Sequence, residues 1–170
     1  PSWMMMYLGI TYIGCVAVPI LPDFSQREME QILKESGVKG VCVNVKHFKK
    51  VEEYASINSL MVIRMEDLVH VPSIPEGFSF DTSPGISLKE HNHNHTLLNS
   101  SVPREDDMAS LIFTSGTTGS SKGVVLTHKN LLVCADESSD TYVKVKKGFR
   151  VLSILPMSHC YEFTITHLLC

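Results

Sequence analysis

Cysteine is scarce and shows no pairing pattern. The 170 residues hold five (Cys15, Cys42, Cys134, Cys160, Cys170), an odd number with no Cys-x-x-Cys spacing. That excludes a zinc ribbon and argues against a disulfide framework, and it fits reduced thiols in the cytoplasm. Basic charge is not in excess either: 15 Lys and Arg stand against 18 Asp and Glu, for a net charge of -3. A dedicated nucleic-acid surface needs a basic surplus, so no nucleic-acid partner is expected. Charge is missing altogether from Pro1 to Pro22. Such a run raises a membrane span, but Gly9, Gly14, Pro19 and Pro22 interrupt it, no basic flank sets an orientation, and a signal peptide's charged start is absent. The better reading is a buried helix, apolar on all sides, over Ser2 to Ile13. A turn at Gly14 and a strand through Val16 to Ile20 follow it.

What is present is a globular composition, with 44% apolar and 19% charged residues. A chain of this size can bury about 70% of its unfolded surface. It opens on Pro1 and closes on the apolar run Thr166 to Cys170, with no cap or polar tail. Both ends read as cuts through structured sequence, so a fragment of a larger domain is expected.

Local signals mark the elements. Ser25 and Glu28 form a capping box, Phe24 and Met29 take the staple positions, and Met29, Ile32 and Leu33 make an inward stripe that stops at Gly37. A strand over Val41 to Val45, a helix over Phe48 to Ala55 and a strand within Ser59 to Met65 follow. The alternation predicts an α/β fold with a largely parallel sheet. From His70 to Asp107 the pattern dissolves into a connecting loop, with room for one short helix near Leu88. Its run His91-Asn92-His93-Asn94-His95 reads as solvated imidazoles rather than a metal site. A strand resumes over Met108 to Phe113.

The most informative segment runs from Thr114 to Gly123: ten residues that are glycine, hydroxyl-bearing or lysine. Glycines let successive backbone N–H groups face one anion, hydroxyls add uncharged donors, and Lys122 supplies one mobile positive charge. This is the chemistry of a triphosphate cradle. A Walker A loop needs Gly before the Lys and Ser or Thr after it, whereas Ser121 and Gly123 stand there. A Walker loop also opens a helix, and here Val124 to Leu126 reads as a second strand of a hairpin. A helix is expected after Thr127, with Leu131, Leu132 and Ala135 among its buried positions; His128 is left as a structural residue.

The run Thr114-Ser115-Gly116-Thr117-Thr118-Gly119-Ser120-Ser121-Lys122-Gly123 resembles the phosphate loop of the adenylate-forming superfamily. Acyl-CoA synthetases, peptide-synthetase adenylation domains and luciferases are its members. Asp107-Met108-Ala109 before the loop and Val124 to His128 after it agree; Ser121 departs, since the family usually has Pro. Trp3 to Val43 resembles the family's early segment, with one extra residue between Gly14 and Pro19. Leu155-Pro156-Met157-Ser158-His159-Cys160-Tyr161-Glu162, expected after a strand over Val151 to Leu155, resembles the motif that lines the acyl pocket. Its His-x-x-Glu ending is most like that of long-chain acyl-CoA synthetases. A Cys160 nucleophile is not favoured, because adjacent side chains such as His159 and Cys160 usually diverge.

The resemblance implies the layered sheet-and-helix N-terminal domain of these enzymes, of which residues 1–170 would be part. It implies activation of a fatty acid by ATP to an acyl-adenylate, then transfer to coenzyme A. Thr114, Ser115, Gly116, Thr117, Thr118, Gly119 and Lys122 would hold the β- and γ-phosphates. Thr114 would reach magnesium (Mg2+), and Lys122 and His159 would serve the chemistry, His159 by orienting the acid and gating the thiol. The adenine and ribose motifs, a second magnesium ligand, the catalytic lysine and the small C-terminal domain would lie beyond Cys170. A nucleotide-binding module without ligase activity, or an enzyme for another carboxylate, stays open as an alternative. So do peripheral membrane association through the lipid substrate and the oligomeric state.

Overall fold

The computed structural model describes residues 2–71, 86–87, 102–114, 122–141, 150, 152–159 and 161–164. Two compact units emerge, one from residues 1–6 and 23–96 and the other from 7–22 and 97–170.

In the first unit, α2 (Gln26–Ser36) is fixed at both ends by its own sequence. The Ser25 hydroxyl accepts from the Glu28 N–H, the Glu28 carboxylate accepts from the Ser25 N–H at 2.8 Å, and Gly37 closes the helix at φ 61°. Met29, Ile32 and Leu33 are buried as the stripe predicts. Strand β1 (Gly40–Val43) ends at Asn44, whose Oδ1 accepts from the His47 N–H and caps α3 (Val45–Phe48). The helix expected over Phe48 to Ala55 is two short ones, α3 and α4 (Glu52–Ile57), because Val51 leaves helical values at φ -121° and ψ -9°. Phe48, Val51 and Ala55 still bury one stripe.

Strand β2 (Met61–Arg64) pairs parallel with β1, and β3 (Val69–Val71) pairs antiparallel with β2. Strand β4 (Ile86–Ser87) adds antiparallel to β3, giving the order β1-β2-β3-β4. The largely parallel sheet is therefore corrected to a mixed one. Among the described residues, the β1–β2 connection is the one that contains helices for a crossover. The β2–β3 turn has four residues and places Leu68 at φ 58°, which forces a hairpin. Val62 and Ile63, adjacent on β2 and facing opposite ways, are both buried, as a central strand requires. Strands β3 and β4 also intrude on the predicted His70 to Asp107 loop. The short helix near Leu88 and the His91 to His95 run lie outside the described residues.

The second unit is organised by β5 (Met108–Thr114) and β6 (Lys122–Thr127), an antiparallel hairpin with a bulge at Ala109. On its other side β5 is bonded to Ala17. The Ala17 N–H donates to Ala109 O, its carbonyl accepts from the Leu111 N–H at 2.9 Å, and the Ser110 hydroxyl donates to the same carbonyl. The strand expected over Val16 to Ile20 reduces to this single parallel bridge, as Pro19 and Pro22 cannot donate to a ladder. Helix α1 (Ser2–Tyr12) ends on Gly14 at φ 76°, with Cys15 N–H bonded to Ile10 O and Gly14 N–H to Thr11 O. The helix is not enclosed on all sides: Tyr7 and Thr11 are buried, one turn apart, while Leu8, Tyr12 and Ile13 are exposed. No helix among the described residues is long and apolar enough to cross a membrane.

Helix α5 (His128–Thr141) starts where expected. Thr127 and Asn130 cap it reciprocally: Thr127 Oγ1 accepts from the Asn130 N–H, and Asn130 Oδ1 accepts from the Thr127 N–H at 3.0 Å. Leu131 and Ala135 are half-buried, but Leu132 is exposed, contrary to its predicted burial. Residues 152–155 form no strand, and Leu152 and Ile154 are 79% and 75% exposed. An extended segment becomes a strand only beside a partner, and none of the described strands pairs with this one.

Candidate functional site

The β5–β6 hairpin has its last two pairs at Phe113 with Gly123 and Thr114 with Lys122. The seven residues between them are Ser115 to Ser121, so Ser115, Gly116, Thr117, Thr118 and Gly119 lie outside the described residues. What is described is the mouth of the loop. Thr114 and Lys122 face each other there and both are exposed. The Thr114 hydroxyl makes only a 3.5 Å contact to Lys122 O, and Lys122 has no ion-pair partner among the described residues. A hydroxyl and an ammonium at one hairpin end, neither engaged strongly, are available to an anion. The second strand follows Lys122 directly, which excludes a Walker geometry on structural grounds as well.

The hairpin is anchored at its other end. Asp107 closes a turn by accepting the Arg104 N–H at 2.8 Å, and its carbonyl accepts from the His128 N–H at 3.1 Å. Lys129 N–H adds a bond to Glu105 O. The start of β5 and the start of α5 are thereby tied together, and Thr114 and Lys122 lie at the opposite, loop-bearing end of the hairpin. The Nε2 of His128 is buried with no hydrogen-bond partner among the described residues.

Magnesium takes oxygen ligands and keeps several of its waters. The exposed, weakly held Thr114 hydroxyl fits that preference. Among the described residues no group of three or more His, Cys, Asp or Glu could hold a metal ion. The Thr114 hydroxyl is thus the described oxygen that would be available to such an ion.

His159 is exposed, so it is not a satisfied core histidine. Its main chain is held twice, by its N–H to Pro156 O at 2.8 Å and by its carbonyl from the Phe163 N–H at 3.0 Å. Its ring Nδ1 accepts from the Tyr161 N–H at 3.3 Å. Glu162, three residues on, is only 2% exposed, and its Oε2 accepts from the Leu155 N–H at 3.3 Å. Sequence reasoning took Glu162 as a pattern residue and missed its burial; an acidic residue among Tyr161, Phe163 and Thr164 was the available signal. Cys160 lies outside the described residues.

An aromatic contact supports this segment. The rings of Phe163 and Tyr7 lie 4.4 Å apart at 52°, an arrangement worth about 0.5–1.5 kcal/mol beyond area. Burial pushes the Tyr7 phenol above its ordinary range, and the Ser110 hydroxyl pulls it partly back. Tyr7 thus meets both the strand that ends at Thr114 and the segment that follows His159. The described hydrogen bonds of His159 itself stay within 156–163, and none of them reaches Thr114 or Lys122.

Comparison with known proteins gives one consistent result. The family model of the AMP-binding enzymes matches residues 1–170. A 4-coumarate–CoA ligase of Nicotiana tabacum is 28% identical over 165 residues, covering 95% of this chain and 28% of that protein. A long-chain-fatty-acid–CoA ligase of Salmonella typhimurium is 29% identical over 185 residues, covering 95% of this chain and 32% of that protein. The chain thus spans under a third of the length of these curated relatives. Among solved structures, ATP-bound MatB from Rhodopseudomonas palustris superposes with a TM-score of 0.69 at 18% identity, over 99% of this chain and 30% of that one.

Proposed function

The chain belongs to the AMP-binding enzyme family, and from that premise we propose that the protein carrying it is an acid–thiol ligase joining a fatty acid to coenzyme A. Its fold is that of the N-terminal domain of adenylate-forming enzymes. The observation that supports the reading most is the β5–β6 hairpin, with an exposed hydroxyl and an exposed ammonium at the mouth of a Gly/Ser/Thr loop.

In this reading a carboxylate oxygen of the acid attacks the α-phosphorus of ATP. The bond to the bridging oxygen breaks, pyrophosphate leaves, and acyl-AMP remains. The sulfur of coenzyme A then adds to the acyl carbon, losing its proton, and AMP departs. The first step crowds negative charge between the acid and the triphosphate, so preorganised donors matter most there. Thr114 through Gly119 offer hydroxyls and backbone N–H groups to the β- and γ-phosphates, and Lys122 neutralises charge that grows on the leaving pyrophosphate. Magnesium, when bound, offsets phosphate charge, with Thr114 as its protein oxygen. His159 donates to the acid's carboxylate and governs the approach of the thiol.

The relatives include ligases named for 4-coumarate and for long-chain fatty acids. The His159-x-x-Glu162 ending supports the fatty acid. The odd number and unpatterned spacing of the cysteines support a cytoplasmic setting. The test is ATP–pyrophosphate exchange by the full-length protein with palmitate, laurate, acetate, 4-coumarate and an amino acid. Exchange greatest with palmitate or laurate is expected. A preference for 4-coumarate or acetate would overturn the fatty-acid assignment, and no exchange with any acid would overturn the ligase itself.

A further inference from the structure

We infer that Glu162 is a positioning residue for His159: by holding the Leu155 N–H, its buried carboxylate fixes the turn from which the imidazole presents its Nε2–H. This rests on the reading of His159 as the donor to the acid's carboxylate. Burying a carboxylate is unfavourable unless the group is well bonded, and at 2% exposure Glu162 is among the most completely enclosed side chains of the described chain. An apolar side chain of that length would fill the same space without burying a polar group. Packing alone gives no reason for Glu at this position. Its Oε2 spans seven residues to reach Leu155, closing a loop around Pro156 to His159. Inside that loop the His159 N–H is bonded to Pro156 O, and just beyond it the Phe163 N–H donates to the His159 carbonyl. The ring is fixed as well. Tyr161 N–H donates to Nδ1, so the network assigns the neutral ring's single hydrogen to Nε2, on the side away from the main chain. The exposed imidazole is therefore a prearranged donor, and its aim depends on the turn that Glu162 closes.

The experiment uses the full-length protein and three variants, Glu162→Met, Glu162→Gln and His159→Ala, with kcat and KM measured in ATP–pyrophosphate exchange alongside thermal melting. Glu162→Met keeps the volume and loses the carboxylate. It should melt at or above the wild-type temperature, yet lose about ten- to a hundredfold in kcat, the scale of a reacting group displaced by an ångström. KM for ATP should not move. Glu162→Gln keeps an acceptor oxygen and should restore most of the rate. A merely structural Glu162 predicts the opposite, a Met variant that melts lower but keeps the wild-type kcat where it is folded. If His159→Ala slows exchange while Glu162→Met does not, the positioning role is overturned and the His159 reading stands. If His159→Ala exchanges at the wild-type rate, the His159 reading itself is overturned. Failure of Glu162→Gln to restore activity lost in Glu162→Met would also overturn the role of the bond. One measurement needs no folded variant: nitrogen NMR of the histidine-labelled wild-type protein should show His159 protonated at Nε2. Protonation at Nδ1 instead would overturn the proposal.

Discussion

At the scale of single residues, Lys122 is the side chain with the most direct electrostatic task. It is exposed and has no carboxylate partner among the described residues, so no described contact depends on its charge. Lys122→Ala should slow adenylation by roughly ten- to a thousandfold, the effect of losing one electrostatic donor, with the melting temperature unchanged. Exchange kinetics and melting of the full-length variant check this; wild-type exchange would mean that Lys122 is a solvated loop residue. Gly123 beside it is constrained by space. A Cβ there would lie 3.0 Å from Leu111 Cδ1 and 3.5 Å from Phe113 Cζ. The end of Leu111 can yield to a methyl group, but a branched side chain would wedge the hairpin open next to Lys122. Gly123→Val should therefore cost about 1–3 kcal/mol and lower exchange, while Gly123→Ala should be tolerated far better; urea denaturation with exchange assays separates the two. Cysteine reactivity follows from burial in the same way. Burial pushes the Cys42 thiol up to about 11, whereas Cys15 and Cys134 are exposed. At pH 8 Cys42 stays a neutral thiol, and since the thiolate is the nucleophile, peptide mapping after iodoacetamide should find Cys15 and Cys134 alkylated well before Cys42.

At the scale of elements, what was legible in the sequence is what neighbouring residues decide among themselves. The Ser25–Glu28 box, the Gly37 and Gly14 stops and the Thr127 start of α5 each appear where their residues place them. The hairpin was legible too, because Val124 to Leu126 alternates poorly for a helix and follows a loop too rich in glycine to start one. Pairing across the chain was not legible. The direction of β3 is set by a four-residue turn through a left-handed Leu68, a conformation no sequence rule assigns to Leu. Val16 to Ile20 and Val151 to Leu155 carry strand-like composition, yet one makes a single bridge and the other no described pairing, since a ladder needs a neighbour that composition does not reveal. The burial of Glu162 escaped for the same reason. Among the legible elements, α2 supports a direct test. Serine hydroxyl and backbone N–H bonds hold the Glu28 carboxylate below its ordinary range. A carboxylate whose folded value is depressed stabilises at neutral pH, and that contribution disappears as pH falls through the depressed value. Ser25→Ala should destabilise by about 1 kcal/mol at pH 7, and the difference from wild type should shrink on acidification. Urea titrations at neutral and acid pH check both the size and the sign.

At the scale of the whole chain, the exposed apolar residues limit what these 170 residues can do alone. In the second unit Leu8 and Tyr12 of α1, Ile13 just after it, Val124 and Val125 of β6, Leu132 and Val133 of α5, and Leu152 and Ile154 are all exposed. Single exposed aliphatic residues are ordinary, but runs of them on adjacent positions of one helix, one strand and one extended segment favour association. The hairpin adds to this. Among the described residues β6 pairs only with β5, which leaves a free edge beside Val124 and Val125, and an uncovered apolar edge is a template for another chain. The curated relatives are more than three times as long as the segment they share with this chain, so a relative of that length has further chain available to cover such surfaces. The expected outcome for the isolated 170-residue chain is concentration-dependent association, read by light scattering on a sizing column. The loop mouth with Thr114 and Lys122 is local in sequence and can survive as a weak polyphosphate site. Adenylation is expected to need groups that reach the adenine, the ribose and the acid together, so incubation of the isolated chain with labelled ATP and palmitate should yield no acyl-AMP above a protein-free control. Accumulation of acyl-AMP would show that the hairpin, His159 and their immediate supports suffice for the chemistry. In that case the exposed faces would have no bearing on activity, and a monomeric, active chain would refute both halves of the expectation at once.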